Sequence, residues 1–136
     1  MTTTRLQLRA VALVLLAQVL LRRRGTTDAL RRMQRIRRPA SSVDAAAAVL
    51  AVRRAGRLAR ARCLAQSVAL TALLDQEAQD IVMVLGCRLY ADRRWGSHAW
   101  VLYGGQVLEP VVADDHTPLA RYSADHDWVP VASGIS

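Results

Sequence analysis

Cys63 and His98 are the two residues of this 136-residue chain best suited by type and order to do chemistry together. Cys63 opens the segment Cys63-Leu-Ala-Gln-Ser-Val-Ala-Leu70, and His98 lies within Ser97-His-Ala-Trp-Val101. A thiol at the start of a helix, followed in the chain by a histidine on a strand, is the order expected of a nucleophile and its base. Thiols attack carbonyls as thiolates, and a helix N-terminus or a neighbouring histidine favours that form. The first-turn N–H groups of such a helix also face the attacked carbonyl, which makes the Cys63 amide a candidate oxyanion-hole donor. The histidine first pairs with the thiolate and then donates a proton to the leaving amine. Its far nitrogen needs a third group. Glu109 is the candidate, because a hairpin at Gly104-Gly105 brings it toward the level of Trp100 and His98; Asp114 and Asp115 are the alternatives.

Taken singly, each residue has a plainer reading. A cysteine in an alanine-rich helix is commonly a small core residue, and Cys87, inside an apolar strand, reads as core. His116 and His126 have polar neighbours and read as surface residues. Trp100 shares a strand face with His98, as core or as pocket wall. Cys63, Cys87 and His98 include no close ligand pair, which disfavours a zinc site.

The elements that must position these residues follow from periodicity. A helix is expected from about Arg5 to Arg24, stopped by Gly25, and a second from Asp28 to about Arg37, closed by Pro39. Ser41 and Ser42 precede a third over Val43 to Val52, weakened later by Gly56. Leu64, Val68, Thr71 and Leu74 recur at helical spacing, so a fourth helix is expected from Cys63 to about Gln76. Ile81 to Leu85 reads as a strand continuing toward Tyr90, Asp92 to Gly96 as a loop, His98 to Tyr103 as a second strand and Gln106 to Glu109 as a third. Together they form an antiparallel meander on the Cys63 helix. A short helix is expected near Leu119 to Tyr122.

Length and composition fit one compact domain with an aliphatic core, since 52% of the residues are hydrophobic and none is phenylalanine. All 19 basic residues are arginine, giving a net charge of +8. Residues 1–62 hold fifteen of them against Asp28 and Asp44, and residues 63–136 hold four against nine acids. The chain thus divides into a basic helical region, 1–62, and a mildly acidic part, 63–136, that carries every His, Cys, Trp and Tyr. No aromatic residue precedes Tyr90, so the basic region lacks the stacking groups of a single-strand binder, and nucleic acid is disfavoured. Two cysteines make no disulfide framework and suit a reducing cytoplasm. The apolar run Ala10 to Leu21 imitates a secretory signal but ends in Arg22-Arg23-Arg24 rather than a cleavage site. It reads as a packed helix or as one lying against a partner or membrane surface.

The order Cys63-Leu-x-x-Ser-x-Ala-Leu70, an apolar strand ending in Gly86, then His98-Ala-Trp-Val101 with a glycine turn and Glu109, resembles the transglutaminase-like cysteine peptidases that process lasso-peptide precursors, the McjB C-terminal-domain family. The resemblance runs over residues 63–110. It implies an α+β, papain-like or transglutaminase-like core, a helix on a small antiparallel sheet, preceded by N-terminal helices. It also implies a cytoplasmic leader peptidase with Cys63 as nucleophile and His98 as base. Glu109 falls where the family usually shows an aspartate, and Gln66 where an arginine is frequent. No cofactor is implied, ATP being used by a separate cyclase. The expected partners are the precursor peptide, a leader-binding protein and that cyclase. An acyltransferase using an amine acceptor, or a non-catalytic basic scaffold, are the alternatives.

Overall fold

Helix α4 (Cys63–Leu73) is the centre of the molecule and is buried from Ala65 to Leu73 except for the half-buried Gln66. The computed structural model describes residues 3–36, 44–74, 80–108, 116–123 and 129–130. Among these, three further helices surround α4: α1 (Thr3–Arg24), α2 (Thr26–Arg35) and α3 (Ala45–Ala59). Alanine and leucine dominate α4, so its propensity is high and its small side chains let three helices and two strands approach it closely. Leu6, Ala10, Leu13, Val14 and Ala17 form the buried stripe of α1, at the three- and four-residue spacing of a helix packed on one side. By length and composition α1 could also cross a membrane.

Helix α3 has an identifiable cap at each end. The Asp44 side chain accepts a hydrogen bond from the Ala47 N–H at 3.2 Å and so starts α3 two residues later than expected. Arg60 ends α3 in the left-handed region at φ 52°, and the Ala61 N–H reaches back to the Gly56 carbonyl at 2.8 Å. Gly56, which on propensity weakens this helix, is buried for a packing reason: a Cβ there would come within 2.4 Å of Gln66 Nε2. The Gln66 amide in turn donates to the Ala61 carbonyl at 2.9 Å, locking α3 against α4. Helix α4 ends at Leu73 rather than Gln76.

Five strands form one antiparallel sheet in the order β3-β2-β1-β4-β5: β1 (Ile81–Leu89), β2 (Trp95–Tyr103), β3 (Gln106–Val107), β4 (Thr117–Ser123) and β5 (Val129–Pro130). Strand β2 begins at Trp95, three residues before the expected start, because a tight turn closes over residues 90–94. Asp92 holds that turn by accepting from the Arg94 backbone N–H and side chain. Gly104 and Gly105 both have positive φ, as the hairpin signal requires. The helix expected near Leu119 to Tyr122 is instead part of β4, paired with the far side of β1. Proline is tolerated there because the pairing shifts between Leu85↔Ala120 and Gly86↔Pro118, leaving Leu119 as a bulge residue. Met83, Val101 and Tyr122 join the helical core, and Val84 and Trp100 form a second buried cluster with Val82, Leu102 and Val107 packed against it.

Gly86 lies under this second cluster. A Cβ at Gly86 would meet Trp100 Cη2 at 2.5 Å and the Thr117 carbonyl at 2.9 Å, so neither the ring nor the neighbouring strand leaves it room. Gly86→Ala is expected to destabilise the fold by about 1–3 kcal/mol through overpacking, read as a lower denaturant midpoint. An unchanged midpoint would show that Trp100 moves aside freely.

Candidate active site

Cys63 is the first residue of α4, with the extended residue Arg62 before it. No side chain caps this end, and no acid lies in its first turn. The earliest helical bond runs from the Gln66 N–H to the Arg62 carbonyl at 3.1 Å, so the N–H groups of the first turn lie ahead of the helical ladder. An end of this kind can receive a carbonyl oxygen that gains negative charge.

Residues Cys63, Gln66, Ser67 and Leu70 recur at spacings of three and four and share one face of α4. That face, with His98, Trp100 and Val101 of β2 and Arg53 of α3, bounds a pocket of about 270 Å³. Cys63 and His98, 35 residues apart in the chain, thus line one pocket. The join is held by a buried hydrogen bond, Ser67 Oγ donating to the Ala99 carbonyl at 3.1 Å. Ser67 is one turn from Cys63, and Ala99 is the neighbour of His98, so this bond ties the start of α4 to the strand that carries His98. Ser67→Ala is expected to cost about 1 kcal/mol of stability. Its rate loss should exceed what the unfolded fraction accounts for, since it frees the helix start from the strand. A rate unchanged at full occupancy of the folded state would assign Ser67 to packing alone.

His98 is half-buried and its Nε2 is buried. Its ring stacks on Trp100 at a centroid distance of 6.0 Å and an interplanar angle of 21°. His116 approaches the same ring at 5.2 Å and Trp100 at 6.4 Å, so His116 belongs to this cluster and is not the surface residue its polar neighbours indicate. Trp100 is both core and pocket wall. Cys87 is half-buried, paired with Ser97 and Thr117, rather than a core residue. Both cysteines are free.

Leu108 N–H donates to the Val101 carbonyl at 3.1 Å, which continues the hairpin pairing past Val107 in the register expected. Glu109, Asp114, Asp115 and His126 lie outside the described residues. Among the described residues no group of three or more His, Cys, Asp or Glu side chains could hold a metal ion.

Sequence reasoning missed His116, Arg53 and the Gly56–Gln66 lock. Arg53 carried a signal, lying one position after the buried Val52 on a helix whose next turn packs on α4. His116 carried none, because recognising it required β4.

No curated protein and no solved structure matches this chain closely enough to count as similar. The family model described as the transglutaminase-like superfamily matches residues 8–124, which includes most of α1, helices α2 to α4 and strands β1 to β4. The chain, an α+β protein in which N-terminal helices precede a five-stranded antiparallel sheet, belongs to the transglutaminase-like superfamily.

Proposed function

We propose that this protein is a cysteine peptidase that removes the leader from a ribosomally made lasso-peptide precursor. The observation that carries the reading is the shared pocket of Cys63, at the uncapped start of the central helix, and His98, on the adjacent strand. In this mechanism His98 takes the thiol proton as Cys63 Sγ bonds to the carbonyl carbon at the end of the leader. The first-turn amides of α4 hold the resulting oxyanion. Collapse breaks the C–N bond, and His98 returns the proton to the departing amine of the core peptide. Water, deprotonated by His98, then attacks the thioester and releases the leader carboxylate and the thiol. Glu109 is assigned to orient the histidine, with Asp114 or Asp115 as alternatives.

In this reading a separate binding protein grips the leader, and an ATP-dependent cyclase closes the ring. The site of action is the cytoplasm, with the exposed apolar residues Leu8, Leu15, Leu16 and Val19 of α1 available to a membrane surface. The reaction is tested by incubating protein, leader-binding partner and precursor and weighing the products. Free leader acid and free core amine are expected. A leader joined to an added amine would identify an acyltransferase, which uses the same thioester; intact precursor under all conditions would remove the peptidase reading.

A further inference from the structure

A second cavity, of about 410 Å³, lies on the other side of the first turn of α4. Its apolar floor is Leu21, Leu64 and Ala65, and its rim carries Arg22 from the end of α1, Arg60 from the end of α3 and Arg62 from the start of α4. No acidic side chain is among the described residues that line it. Gln18 donates to the Ala59 carbonyl at 3.3 Å and joins α1 to the end of α3 at this point, so the cleft is a fixed joint between helices. The left-handed conformation of Arg60 turns the chain there and brings Arg60 and Arg62 to the same rim.

Leu64 and Ala65 face this cleft, whereas Cys63, Gln66, Ser67 and Leu70 face the pocket with His98. The two cavities thus flank a single helical turn. Three arginines around an apolar floor, with no acid among the described lining residues, complement an anion with an apolar body.

We propose that the cleft between the end of α1 and the start of α4 binds an acidic peptide segment, carboxylates on Arg22, Arg60 and Arg62 and an apolar side chain on Leu21 and Leu64. The proposal rests on the peptidase reading for its role as a substrate subsite. A helix with its side chains is about 10 Å across, a distance that three or four extended residues span, so the acidic segment lies about that far from the scissile bond.

The test uses the full-length Cys63→Ala protein, which cannot turn over, and fluorescence anisotropy with a labelled ten-residue peptide of alternating Glu and Leu. The same peptide with Gln in place of Glu is the comparison. At low salt the Glu peptide is expected to bind about tenfold or more tighter, a preference that fades as salt rises. Arg22→Glu with Arg60→Glu should abolish the preference, and Arg22→Gln with Arg60→Gln should reduce it. Arg23→Glu with Arg35→Glu, exposed positions outside the cleft that change net charge equally, should preserve it. Equal binding of the two peptides, or equal losses in the two Glu-substituted proteins, would overturn the proposal. So would a cleft substitution that weakens only binding to phosphatidylserine–phosphatidylcholine vesicles. Glu-peptide binding through the cleft by a protein whose unsubstituted form cleaves no precursor would support the cleft while removing the peptidase reading.

Discussion

Cys63→Ala is expected to lower precursor cleavage by on the order of 10⁶-fold, to the limit of detection by mass spectrometry, because no thioester forms without the sulfur. The fold should tolerate the change. Cys63 is half-buried at the helix start, alanine has a high helix propensity, and the cysteine makes no disulfide. Melting temperature should therefore stay close to that of the unsubstituted protein while turnover vanishes. Cys87→Ala is the companion, since Cys87 sits on β1 outside the pocket and its loss should leave cleavage intact. Cleavage by Cys63→Ala at the original rate would end the assignment, and loss in Cys87→Ala alone would move the nucleophile to the strand.

His98→Gln should lower kcat by about 10²- to 10⁴-fold, the range of general acid–base catalysis, with KM little changed. Glutamine fills part of the ring's space and can hydrogen-bond, but it can neither accept the thiol proton nor deliver one to the amine. The substitution also removes a ring that stacks on Trp100 and touches His116. Loss of rate with an unchanged melting temperature assigns the effect to proton transfer. A lowered melting temperature with full activity in the folded fraction assigns His98 to packing and takes the base away from it.

Helical spacing and turn glycines made most of the scaffold legible: the start of α4 at Cys63, the existence and order of the first three strands and the Gly104-Gly105 hairpin follow from residue types, although β2 starts three residues early. That a helix beginning at Cys63 lies against the strand carrying His98 was legible too, because an apolar helix followed by a short antiparallel meander has few ways to bury its face. Strand β4 was not. Pro118 and Ala120 are poor strand formers by type, and the bulge at Leu119 makes a place for the proline. With β4 unseen, His116 could not be brought to His98. Gly56 misled for a related reason, since propensity registers a glycine's cost to its own helix and not the room it leaves for Gln66 on the next. The arginine cleft needed three helix ends brought together, which no local pattern encodes.

Helix α4 is enclosed by three helices and a sheet, and it carries Cys63. In amide hydrogen exchange such an element is the last to open, through the same excursion that unfolds the whole domain. The proposed nucleophile is therefore anchored to the helix expected to be the most strongly protected among the described residues. The rate at which an alkylating reagent modifies Cys63 should therefore stay at its native value until the denaturant concentration at which global protection is lost.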